Sequence, residues 1–210
     1  MQQELELYLK KYNSGKHTCP NGTFKNENCL DILQEFYDNG KISFRGYCIP
    51  ETKEWLVDKF YENGNLCFSI QFVDRKLDGR CLTYYENNNN IFEIYNYTDG
   101  KLNGDQKCLY ENGQIRHCFN CKSDMKTGLY ERWWENGQIG CRVTYKDDVL
   151  DGLYEQWFNN GQMASKVNFK NGKRNGLCEE WFENGQLASR ATYKNGKMLD
   201  CVNFGMMIVE

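Results

Sequence analysis

The chain has 210 residues, with 26 Lys and Arg against 29 Asp and Glu, a formal charge of −3 and a pI near 5.6. There is no surplus of cations to hold a phosphate backbone, which argues against nucleic acid as a partner, and no stretch approaches the roughly 18 apolar residues of a membrane span. The eleven cysteines follow an opening, MQQELELYLKKY, whose acidic residues break up any apolar core of a secretory signal. The expected setting is therefore the reducing cytoplasm and the expected state free thiol.

Residues 1–30 lack the signature that marks the rest of the chain and read as an N-terminal cap, the device that covers the open apolar end of a repeat array. From residue 31 to residue 200 one pattern returns: FYDNG (36–40), FYENG (60–64), YYENN (84–88), LYENG (109–113), WWENG (133–137), WFNNG (157–161) and WFENG (181–185). The period is 24 residues, with one residue inserted in the Asn87–Asn90 run. Such a period belongs to stacked supersecondary units, and seven of them exceed the roughly three that a stack requires.

The unit from Gly128 to Gly152 shows what one period encodes. Asn136-Gly137 lies between runs rich in aromatic and β-branched residues, which predicts a β-hairpin closed by a two-residue type I′ turn. In that geometry Trp134 faces Ile139, Tyr130 and Val143 share its face, and Leu129, Glu131 and Trp133 occupy the other. Ile42, Leu66, Ile91, Ile115, Ile139, Met163 and Leu187 form a column just after the turns, and Phe72, Tyr97, Tyr145, Phe169 and Tyr193 form a second. The expected fold is all-β: an elongated single-layer array of antiparallel hairpins in about seven repeats, with fourteen strands spanning on the order of 65 Å. Residues 201–210, CVNFGMMIVE, read as a terminating strand. Met206, Met207, Ile208 and Val209 run consecutively without a Lys or Pro to discourage edge pairing, which makes them the candidate dimer strand and a two-fold homodimer the expected assembly.

The pattern GxYxxWWENGQIx5Yx6G resembles the MORN repeat in its 24-residue variant, over residues 31–200. The resemblance implies a single sheet of hairpins with an aromatic-lined groove, a role in protein association or phospholipid contact, and no catalytic activity. It also points towards antitoxin-like bacterial proteins and giant-virus repeat proteins as kin.

Three constellations suggest chemistry. His117 with Cys118 and Cys121 has the look of a zinc or redox pair, but thiols three apart on a strand point to opposite faces and a second ligand pair is missing. The cysteines are read as packing residues, with no metal and no cofactor. Trp133, Trp157 and Trp181 recur on one face and Trp134, Phe158 and Phe182 on the other. These six are the candidate protein-binding ladder, since one layer cannot bury both faces and exposed Trp anchors interfaces; the alternative is that they pack only on one another. Glu131, Glu155 and Glu179, like Lys146, Lys170 and Lys194, read as solvated decoration, with KNGKRNG (170–176) as an alternative lipid-facing edge. No nucleophile paired with a base and no phosphate-cradling loop occurs. The functional expectation is a non-enzymatic protein–protein interaction scaffold, with a peripheral phospholipid tether and an antitoxin-like neutraliser of a protein partner as alternatives.

Overall fold

The computed structural model describes residues 31–49, 54–74 and 76–205. The first five strands are β1 (Asp31–Phe36), β2 (Ile42–Ile49), β3 (Glu54–Phe60), β4 (Leu66–Val73) and β5 (Lys76–Tyr84). The irregular unit gives β6 (Ile91–Thr98), β7 (Lys101–Leu102), β8 (Gly104–Leu109) and β9 (Ile115–Lys122). The regular C-terminal part gives β10 (Met125–Trp133), β11 (Ile139–Lys146), β12 (Val149–Trp157), β13 (Met163–Lys170), β14 (Lys173–Trp181), β15 (Leu187–Lys194) and β16 (Lys197–Asn203). They make one antiparallel 16-stranded sheet in chain order, with β7 paired only to β6. No helix occurs among the described residues, as the hairpin reading requires.

The turn chemistry differs from expectation in an instructive way. The Glu-Asn-Gly turns are not type I′. The Gly137 N–H donates to the Trp134 carbonyl at 2.9 Å and the Trp134 N–H to the Gln138 carbonyl at 2.8 Å, and only Gly137 takes a positive φ, of 82°. This is the three-residue loop, a type I turn followed by a left-handed residue. Asn136 holds it, because its Oδ1 accepts from the Gln138 N–H at 3.0 Å, an Asx turn. The two-residue type I′ turns lie at the opposite edge, where both central residues have positive φ: Asp99-Gly100, Ser123-Asp124, Asp147-Asp148, Asn171-Gly172 and Asn195-Gly196.

The longer loop changes the register beside it. Trp133, not Trp134, pairs with Ile139, and the next pair is Arg132 with Cys141, leaving Gly140 as an extra bulge residue. The bulge restores the expected pairing of Tyr130 with Val143. The same step recurs where Phe36, Phe60, Trp157 and Trp181 pair with Ile42, Leu66, Met163 and Leu187. The residue inserted into the third unit is absorbed inside its turn, where Asn89 takes the left-handed conformation in place of Gly. A second bulge marks each closing glycine. At Gly152 φ is 124°, and the register steps between the Val143–Tyr154 and Tyr145–Leu150 pairs. A β-carbon at Gly79 would collide with the side-chain amide of Gln71.

The core lies on one face, centred on one row, with buried Phe44, Phe68, Phe72, Cys108, Cys121 and Cys141 beside it. The register links Val57, Ile70, Cys81 and Tyr95, then Gln106 and Phe119, then Tyr130, Val143, Tyr154, Val167, Cys178, Ala191 and Cys201 into a row across the sheet. Ile70, Cys81, Gln106, Val143, Val167, Cys178 and Ala191 in this row are buried although no second layer covers them. Aromatics to either side on the same face supply the cover. Tyr130 meets Tyr145 edge-on at 6.3 Å, and Tyr154 meets Phe169 in the same way at 6.2 Å one period later. The expectation that Cys81 and Cys178 share the column of Tyr130 and Tyr154 holds.

Buried Gln106 repairs the irregular unit. Pairing between β6 and β8 is limited to Glu93–Cys108 and Ile94–Lys107, so Asn96, which keeps Arg80 on β5, has no partner residue on β8. Gln106 Oε1 accepts from the Asn96 N–H at 2.8 Å, while its Nε2 donates to the Asn96 carbonyl at 3.3 Å and the Gly104 carbonyl at 2.9 Å. A side-chain amide here takes the part of a peptide group.

Candidate functional site

Beyond the last β9–β10 pair, Arg132–His117, the Trp133 carbonyl has outrun its neighbouring strand. Tyr110 Oη donates to it at 2.8 Å from the preceding turn. The same bond joins Tyr37 to the Phe60 carbonyl at 2.5 Å, Tyr61 to Tyr84 at 3.0 Å and Tyr85 to Leu109 at 2.8 Å, and Trp134 Nε1 donates to the Trp157 carbonyl at 3.1 Å. The second aromatic of the first five signatures is thus a staple to the following hairpin. Phe158 and Phe182 stand in the same column and have no donor.

Sequence reasoning placed Trp134, Phe158 and Phe182 in a ladder opposite Trp133, Trp157 and Trp181, and the strand register keeps that division. All six are half-buried. The Trp134 ring lies against Gly140, whose β-carbon position is 3.0 Å from Nε1. That column is committed to structure. Its signal was readable as a hydrogen-bond donor repeated every 24 residues, but the bulge that creates the open carbonyl was not.

The Trp133 face is different. Leu129 and Leu177 are 46% and 41% exposed and lie on the same side of their strands as Trp133 and Trp181. Between Leu and Trp in each of the last three units sits an ion pair: Arg142 Nη2 to Glu131 at 2.8 Å, Lys166 Nζ to Glu155 at 3.5 Å and Arg190 Nη2 to Glu179 at 2.7 Å. The three glutamates are mostly covered, with side-chain exposures of 20%, 15% and 14%. They are cross-strand partners rather than the solvated decoration expected. Each of these three units therefore presents apolar, ionic and aromatic groups in one line.

Cys118 pairs with Glu131 and Cys121 with Lys126, so the two thiols take opposite faces as expected. Cys121 is buried, and burial pushes both thiols up from their ordinary pKa. No group of three ligating side chains gathers among the described residues. His117 is half-buried against Phe119 and Tyr130. Burial, then Arg116, Lys126 and Arg132, hold its pKa below the usual imidazole range. A shallow depression of about 450 Å³ beside Gln106 is lined by Arg80, Lys107 and Asp105 among others. Asp105 is held by Asn120 at 2.9 Å, and the set does not converge on a ligand.

The proposed dimer strand is only partly within reach. β16 begins at Lys197 and ends at Asn203, and Met198, Leu199 and Val202 are 57%, 63% and 52% exposed. Met206, Met207, Ile208 and Val209, like the cap at 1–30, lie outside the described residues. No described helix is long and apolar enough to cross a membrane.

Residues 126–147, 150–171 and 174–195 match the family model of the MORN repeat variant. No curated protein matches the chain. Among solved structures it is similar to the crystal structure of TarM, at 16% identity and a TM-score of 0.24, over 69% of this chain and 27% of that one.

Proposed function

We propose, for a chain that carries MORN repeat variants in succession over residues 126–195, that it is a non-catalytic scaffold binding a protein through the Leu129–Trp133 face and its periodic copies. Repeats of this family are binding modules for proteins or membranes. The observation that favours a protein is exposed Leu129 and Leu177 standing in line with half-buried tryptophans on one face. Aromatic anchors rimmed by satisfied ion pairs are the make-up of protein interfaces. The lipid reading needs a uniformly cationic edge. Instead, Lys146 and Lys170 share the far edge with Asp124 and Asp148, whose carboxylates are occupied by the Leu102 and Lys126 N–H groups at 2.8 Å. Neutralisation of a toxic protein partner would be one case of the same binding.

The test is capture from the native source by the wild-type chain and by a Leu129→Lys/Leu177→Lys variant, with mass spectrometry. A protein held by the first and lost by the second supports the reading; identical captures overturn it. A second reading, the homodimer, is favoured by exposed Leu199 and Val202 on β16, whose outer edge has no partner among the described residues. Edge strands in that condition invite pairing. Light scattering should give twice the chain mass for the intact protein and a monomer for Leu199→Lys/Val202→Lys; a monomeric intact chain rejects it.

A further inference from the structure

On the face opposite to Leu129, three cations gather over β9 and β10, each parked on an aromatic ring. Lys126 Nζ lies 5.1 Å from the Phe119 centroid and 5.7 Å from that of Tyr145. Arg132 Cζ is 4.7 Å from the Trp134 ring, and Arg116 Cζ is 5.9 Å from that of Tyr110. His117, Phe119 and Tyr130 stack between them at 6.0 to 6.2 Å. None of the three cations makes an ion pair with a described carboxylate, unlike Arg142, Lys166 and Arg190 on the other face. Of the carboxylates nearby, Glu131 is paired with Arg142, Asp148 and Asp124 accept the Lys126 and Leu102 N–H groups, and Glu93 accepts from Tyr95 and Thr83, while Glu111 and Glu135 lie on the turns and form no ion pair with the three cations.

Three cations without a salt-bridge partner on one strip are unexpected in a chain whose net charge is −3. Side chains held over rings have already lost most of their rotamer freedom, so an anion meeting them costs little further ordering. A compact phosphate would need cations that converge. These rest on separate rings, with apolar aromatic surface between them. We infer that the strip formed by Arg116, Lys126 and Arg132 with Tyr110, Phe119, Tyr130, Trp134 and Tyr145 binds an extended acidic segment of another protein, its carboxylates on the cations and its small apolar side chains on the rings. This surface is separate from the Leu129–Trp133 face and independent of it.

His117 reports occupancy directly. It lies between Cys108 on β8 and Arg132 on β10, with Arg116 beside it and Lys126 also near enough to act on its charge. A bound carboxylate reverses the local sign and raises its apparent pKa.

The probe is a fluorescein-labelled alternating Glu-Val dodecapeptide, followed by anisotropy, with the His117 ring proton titrated by NMR in its presence and absence. The expected result is saturable binding that weakens between about 50 mM and about 300 mM salt, and an upward shift of the His117 titration with bound peptide but not with a Lys-Val peptide. An Arg116→Gln/Lys126→Gln/Arg132→Gln variant should bind about tenfold more weakly or worse, while Lys173→Gln/Lys197→Gln, at exposed positions away from both faces, binds as wild type. Equal affinity in the two variants, an unmoved His117 titration in the wild-type chain, or binding to phosphatidylserine vesicles with none to the peptide overturns the inference.

Discussion

Phe158 is the place where the array invites repair. The Trp181 carbonyl lies beyond the last β13–β14 pair, Ser165–Glu180, just as the Trp133 carbonyl lies beyond Arg132–His117. In the column of Tyr37, Tyr61, Tyr85 and Tyr110 the hydroxyl reaches such carbonyls at 2.5 to 3.0 Å, and Phe158 is Tyr without that hydroxyl. Phe158→Tyr adds one bond and moves no apolar surface, so the expected gain is the net value of a hydrogen bond, about 0.5–1.5 kcal/mol. For a chain of this size a gain of about 1 kcal/mol raises Tm by roughly 2–4 °C. Scanning calorimetry and urea melts of wild type, Phe158→Tyr and Tyr110→Phe measure it, with Tyr110→Phe expected to lose a similar amount. Phe182→Tyr is the control: the residue that would accept, by the same offset, falls at Gly205, past the end of β16 at Asn203, so no gain is expected. An unchanged or lowered Tm for Phe158→Tyr, or an equal gain for Phe182→Tyr, refutes the account of the staple.

Asp148→Gly makes the far turn a better type I′ match but removes the acceptor of the Lys126 N–H at 2.8 Å; a net loss of about 1 kcal/mol is expected in urea melts, and a gain would show that turn propensity dominates. Gly137→Ala should cost about 1–2 kcal/mol from the positive φ of 82°, although Gln114 Oε1 at 3.8 Å leaves room for a methyl. Stability should fall with alkaline pH. Burial raises the Cys81 thiol from 9.0 to about 12 and the Tyr97 hydroxyl from 10.0 to about 12, so their contribution is complete below pH 9 and lost as the unfolded chain alone ionises between 9 and 12. A urea midpoint that is flat across that window contradicts the burial of these groups. In Ellman titration at pH 8, exposed Cys201 should react before buried Cys81, Cys108, Cys121, Cys141 and Cys178.

The period and the runs of alternating residues were enough to fix a sheet of hairpins, because every unit repeats the same local preference and no long-range contact competes with it. The turn type was not legible in the same way. Asn-Gly satisfies both a type I′ turn and the final two residues of a three-residue loop, and only the Asx bond from Asn136 to Gln138 separates them. From that one residue of loop follow the bulge, the open carbonyl and the staple. The binding strips were half visible. Leu129 and the tryptophans could be placed by parity, whereas the cations on the other face come from a bulge position, Arg116, and from strand ends whose facing depends on the closing-glycine step.

The staples all point one way. Each donor sits in one unit and each acceptor in the next, 23 or 24 positions later, and among the described residues no such staple runs backwards. Excising or duplicating one period therefore reconnects a donor with an equivalent acceptor, so the array can change length in whole-period steps without creating a foreign junction. A loss of any other size separates the donor at that junction from its carbonyl, and an odd one also turns the faces over. Such an array can vary how far it reaches while its register stays fixed, with the Phe158 junction, which carries no staple, as the seam where adding or dropping a unit disturbs least.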